Sequence, residues 1–104
     1  MNIHELIRQA QTLQKKLLDM QEEINKKTVE ASAGGGMVRV VVNGTPEILK
    51  IELDPTIVDP NDITMLQDLI VAATNEALRR AKEMKEEEIA KLTGGIKLPN
   101  MGII

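Results

Sequence analysis

Two short stripes of hydrogen-bond donors are the residues best suited to chemistry in this sequence. His4, Arg8, Gln11 and Lys15 recur in steps of four, three and four, and Asn75, Arg79 and Lys82 in steps of four and three. Residues three and four apart share a helix face, so each set gathers guanidinium, ammonium and amide donors of the kind that bind phosphate oxygens. An ordinary solvated helix face looks the same, and the rest of the chain has to decide between the two. Other chemistry lacks its parts. The single His is at position 4, the single Ser at position 32, and there is no Cys, so nothing completes a nucleophile and its base. Asp59 and Asp62, and the run Glu86, Glu87, Glu88, fit helix capping and a solvated face, and no spacing suits a metal. Gly34-Gly35-Gly36 joins two β-type runs and opens no helix, so a hairpin turn is expected there rather than a phosphate cradle. Asn43-Gly44 reads as a second turn. No catalytic residue, metal ligand, cofactor or small-molecule substrate is expected.

Composition narrows the partners further. The 104 residues suit one domain, assigned to 1–95 with a tail at 96–104. Phe, Tyr and Trp are absent, which removes base stacking on aromatics from the possible modes of binding. No apolar run approaches the roughly 20 residues that cross a bilayer, and the start has no apolar block of a secretory signal, so a cytoplasmic protein with no membrane partner is expected. The net charge of −3 hides a distribution. Residues 1–27 hold Arg8, Lys15, Lys16, Lys26 and Lys27 against four acids, whereas residues 28–61 hold two bases against five acids. The helical ends are therefore less acidic than the middle.

The elements that must carry the stripes follow from periodicity. Ile3, Leu6, Ala10, Leu13, Leu17, Met20 and Ile24 keep the a/d spacing of a heptad, and Asn2 with Glu5 forms a capping-box variant, so one helix is expected over about residues 3–27. Glu22 to Lys26 and Glu23 to Lys27 are ordered as favourable i,i+4 pairs. The period then drops to two. Val29, Ala31 and Ala33, the run Met37–Val42, and Leu49, Ile51 and Leu53 describe a three-stranded antiparallel meander with one buried face. Asp59-Pro60-Asn61-Asp62 marks the start of a second helix running to about Lys91, with Ile63, Leu66, Ile70, Ala73, Ala77, Ala81 and Met84 as its apolar stripe. Thr93-Gly94-Gly95 ends it, and the apolar tail is expected to pack on a helix or a partner. The fold class is α+β, in the order α-β-β-β-α. A helix of about 25 residues spans roughly 37 Å and a six-residue strand roughly 20 Å, so the helices must overhang the sheet. Overhanging seams and two sheet edges favour a homodimer with protruding helical arms.

In order and spacing, Arg8-Gln9-Ala10-Gln11, Met20-Gln21-Glu22-Glu23, Val42-Asn43-Gly44, Ile51-Glu52-Leu53-Asp54-Pro55, Leu66-Gln67-Asp68-Leu69-Ile70, Ala73-Thr74-Asn75-Glu76-Ala77 and Leu92-Thr93-Gly94-Gly95 resemble the YbaB/EbfC family of bacterial nucleoid-associated proteins. The resemblance covers nearly the whole chain. It implies an α-β-α dimer whose helices form tweezer-like arms around double-stranded DNA, associated with the nucleoid, with low sequence specificity and a part in nucleoid organisation and gene expression. Carried over by position, it points to Arg8, Gln11 and Lys15 on the first helix and Asn75, Arg79 and Lys82 on the second as DNA contacts. A prefoldin-like coiled-coil chaperone is the alternative of another class, which three strands and an Ala-rich second helix disfavour.

Overall fold

The computed structural model describes residues 2–92 and contains helix α1 (Ile3–Lys26), strands β1 (Thr28–Ala33), β2 (Val38–Asn43) and β3 (Ile48–Leu53), a short 3-10 turn (Pro55–Ile57) and helix α2 (Ile63–Leu92). The shape is a rod of 72 × 21 × 17 Å with a radius of gyration of 19.5 Å, against about 13 Å for a compact chain of 100 residues. The predicted order is present, and the overhang is real. The expected packing of the tail lies outside the described residues.

α1 begins where Asn2 Oδ1 accepts from the Glu5 amide at 2.8 Å, which satisfies one of the free donors of the first turn. It ends one residue earlier than expected, because Lys27 is already extended. Neither of the anticipated i,i+4 pairs forms. Lys27 has left the helical path that would place it over Glu23, and its Nζ instead reaches Glu88 Oε1 on α2 at 2.6 Å.

The three strands form one antiparallel sheet in the order β1-β2-β3. The first turn is built by Gly34, Gly35 and Gly36 at φ of +64°, +69° and +91°, a left-handed path that only glycine follows without strain. β2 is the centre of the core. Val38, Val40 and Val42 are fully buried beneath Ala73, Ala77 and Ala81 of α2, whose methyl side chains let the helix backbone lie close to the sheet. Each buried valine contributes about 1.5 to 3 kcal/mol.

The expectation of one buried face needs correction at β3. α2 packs mainly on β1 and β2. Ile51 and Leu53 pair with Val40 and Val38 and so face the same way, yet they remain 44% and 37% exposed. The face is also composed differently from the simple alternation. A bulge shifts the register between Val41, which pairs with Lys50, and Val42, which pairs with Ile48, so Ile48 joins the apolar side and Leu49 is the extra residue.

The entry to α2 differs from its sequence signature too. Asp54 Oδ1 accepts from Thr56 N and caps a 3-10 turn that buries Ile57, an element the periodicity did not announce. Asp59 Oδ1 accepts from Asn61 N within a turn, and Asp62 is the residue that caps the helix, accepting from Met65 N at 3.2 Å. Pro60 therefore belongs to the turn and not to the first helical position.

Candidate nucleic-acid interface

From Asn2 to Lys16 every residue is exposed, and Ile24 is the only buried residue of α1. The apolar seam thus touches the body only at its C-terminal end. At 100° per residue the His4, Arg8, Gln11 and Lys15 stripe lies about 150° round the helix from the seam. The sequence places the stripe on one face, and the fold leaves that face open. Among the described residues Arg8 and Lys15 have no carboxylate within ion-pair distance. Beside them, Arg8, Gln9, Thr12, Leu13 and Lys16 line a shallow groove of about 260 Å³.

The second stripe is in a different condition. Asn75, Arg79 and Lys82 lie on the side of α2 turned away from the sheet, and all three are exposed. Arg79 is held by its own helix: its Nε donates to Glu76 Oε2 at 2.9 Å, and a second nitrogen is bonded to Glu83. The hydrogen bond and charge of Arg79 hold the Glu76 carboxyl down at about 2, and in return the guanidinium pKa is raised. Arg80 also leans on Glu76 and donates to the Glu30 carbonyl at 2.8 Å, covering part of the β1 edge. Lys82, the other cation of the second stripe, has no carboxylate partner among the described residues.

Within one chain the two stripes are not brought together. The C-terminal part of α1 meets α2 at Lys85 and Ile89, while residues 8–15 lead away from the sheet and residues 75–82 lie over it. Helical rise puts them some 20 to 30 Å apart along the rod. Three cations that the spacing rule passed over are also without carboxylate partners among the described residues: Lys16, Lys26 and Lys85. The adjacency of Lys15 and Lys16 was the available signal for the first. On the outer sheet face the opposite holds, since Arg39 bridges Glu30 and Glu52, and Lys50 reaches Glu52 at 3.1 Å. Arg39 and Lys50 lower the Glu52 pKa, as expected for a carboxylate between two cations.

Among the described residues no group of three His, Asp or Glu side chains stands close enough to hold a metal ion, and no helix is long and apolar enough to cross a membrane. What remains is an elongated body with cationic helix faces. A profile of the YbaB/EbfC DNA-binding family matches residues 1–96. The chain belongs to the YbaB/EbfC DNA-binding family. It is 51% identical over 100 residues to a nucleoid-associated protein of Thermoanaerobacter pseudethanolicus, covering 96% of this chain and 90% of that one. A nucleoid-associated protein of Syntrophobacter fumaroxidans is 55% identical over 97 residues, covering 93% and 88%. The crystal structure of an uncharacterized Helicobacter pylori protein shares the fold, with a TM-score of 0.73 at 20% identity over 89% of this chain and 98% of that one. Membership of the YbaB/EbfC family makes DNA the partner against which the exposed cations have to be judged.

Proposed function

We propose that this protein is a homodimer that binds double-stranded DNA through its helical arms, reading the phosphate backbone more than the bases, in the bacterial cytoplasm at the nucleoid. The observation that carries the reading is the exposed first half of α1, where Arg8 and Lys15 stand on one face with no carboxylate among the described residues to neutralise them. Gln11 lies between them and offers an amide to a phosphate or a base edge. On α2, Lys82 is open to the same use, Asn75 is exposed, and Arg79 engages DNA only by exchanging Glu76 and Glu83 for phosphate oxygens.

Two features support the dimer. Among the described residues the apolar side of β3, with Ile48, Ile51 and Leu53, is only partly covered, and the seam of Ile3, Leu6 and Leu13 is exposed. The two sheet edges are also unequal, because Arg80 occupies the Glu30 carbonyl on β1. An open, apolar β3 side is the natural place for a second copy. The names of the relatives, nucleoid-associated proteins, agree with a role in nucleoid organisation and gene expression.

Light scattering should give about twice the 11.5 kDa chain mass. A gel-shift titration with unrelated duplexes at two salt concentrations should show similar affinities for each duplex. The slope of log affinity against log salt should fall near −4 to −5 if about four to six phosphates are neutralised, at roughly −0.9 each. A stable monomer, or no shifted duplex at low salt, would refute the reading.

A further inference from the structure

α1 joins the body at one place, and a glycine makes the joint. Gly44, in the turn after β2, is buried, but its φ is not in the left-handed region, so turn geometry does not call for glycine. Close approach does. A Cβ added to Gly44 would stand 2.0 Å from the carbonyl oxygen of Ile24 and 2.8 Å from its carbonyl carbon. Both are backbone atoms of the last turn of α1 and cannot swing aside as a side chain does. Ile24 is also the one buried residue of that helix. Next to the joint α1 and α2 border a crevice of about 200 Å³ lined by residues that include Leu17, Met20, Ile24 and Ile89. Lys27, the residue that follows α1, is tied to Glu88 of α2 by an ion pair that lowers the Glu88 pKa.

We propose that Gly44 is the positioning residue of the α1 arm: by seating the Ile24 carbonyl directly on the turn after β2, it sets the direction in which α1 leaves the body and therefore where Arg8, Gln11 and Lys15 stand. The part that concerns DNA rests on the function proposed above; the part that concerns arm direction does not. A lever estimate gives the scale. A Cβ needs at least 3.0 Å from its neighbours, so a side chain at position 44 opens the joint by about 1 Å. Across a helix backbone about 5 Å wide this is a tilt of about 0.2 radian, and Arg8, 16 residues or about 24 Å from Ile24, moves by about 5 Å. That displacement is comparable to the distance between neighbouring phosphates, enough to lose a contact.

The chain has no cysteine, so labels can be placed at will. Spin labels at Gln9→Cys on α1 and Asp68→Cys on α2, both exposed, report the arm direction when labelled chains are diluted into unlabelled ones. Gly44→Ala should shift or broaden this distance distribution by several ångströms and weaken duplex binding about tenfold. Thr45→Ala, one residue along the same turn, should change neither. An unchanged distribution in Gly44→Ala overturns the proposal whatever happens to DNA. A shifted distribution with unchanged affinity overturns the positioning role. If the unaltered protein binds no duplex, the function proposed above fails, while the distance still reports on Gly44. Should Gly44→Ala not accumulate as a folded protein, Ile24→Ala loosens the same joint without adding an atom and should broaden the same distribution; an unchanged width there overturns the proposal equally.

Discussion

Helices α1 and α2 are both long and richly charged, yet their arginines and their apolar residues stand in opposite conditions. α2 buries Ala73, Ala77 and Ala81 against the sheet and ties Arg79 and Arg80 to Glu76. α1 buries only Ile24 and leaves Arg8, Lys15, Lys16 and Lys26 without a carboxylate among the described residues. Local order accounts for Arg79 and Lys15, but not for Arg8 and Lys26, which follow Glu5 and Glu22 in the favourable order and still form no pair among the described residues. Arg79 has acids three residues before and four after it, and its planar fork donates to both. Lys15 precedes Asp19, the weaker orientation of an i,i+4 pair, and a lysine has no fork to hold it there. One helix therefore serves as the body and the other as a charged arm.

The largest effect should come from placing one leucine in each helix. Ala77→Leu forces a larger side chain between α2 and the sheet, where Ala77 is fully buried, and overpacking of this kind costs about 1 to 3 kcal/mol. Thr12→Leu, on the exposed part of α1 away from its apolar seam, should change stability by less than about 0.5 kcal/mol. Thermal unfolding of the two variants checks this directly. Equal destabilisation would mean that α1 is packed in solution as tightly as α2, and the contrast would collapse.

A smaller effect separates the two cationic stripes. Arg8→Ala and Lys15→Ala should each weaken binding to unrelated duplexes by similar factors and flatten the salt slope by about 0.9. Arg79→Ala should change the slope less, because its two carboxylates compete with any phosphate and Glu76 and Glu83 are left behind as unpaired negative charge. Lys50→Ala on the outer sheet face is the control, since it removes the same charge far from the arm. If Lys50→Ala weakens binding as much as Arg8→Ala does, only long-range charge is being measured.

The sequence made the α-β-β-β-α order legible, because a seven-residue apolar spacing and a two-residue alternation are hard to confuse over such lengths. The start of α1 was equally plain from Asn2 and Glu5. What escaped depended on contacts. The bulge at Leu49 inserts a residue that an alternation rule cannot anticipate, and the exposure of Ile51 and Leu53 follows from where α2 crosses the sheet. At Asp59-Pro60-Asn61-Asp62 two acids competed for one cap, and the turn took the first. The candidate site divides in the same way. Helical spacing correctly put Arg8, Gln11 and Lys15 on one open face. Arg79 looked equivalent, although Glu76 and Glu83 at three and four residues were there to be weighed. Gly44 read as turn chemistry, whereas its role is to let Ile24 come close.

The smallest effect tests the Arg79 clamp without DNA. Because the hydrogen bond and charge of Arg79 favour the ionised form, the Glu76 carboxyl is held at about 2, below its ordinary value of 4.5. A carboxyl depressed in the folded state stabilises folding at all pH above its unfolded value, and that contribution fades as pH falls from about 4.5 toward 2. Carbon-13 shifts of the Glu76 carboxyl followed through this window should give a midpoint near the lower end in the unaltered protein. In Arg79→Ala the midpoint should move back toward the ordinary range, stopping short of it because Arg80 still reaches Glu76. A Glu76 that titrates at 4.5 in the unaltered protein would show that Arg79 is not engaged. Arg79 would then be as available to phosphate as Arg8, and the two helices would carry DNA-binding charge on equal terms.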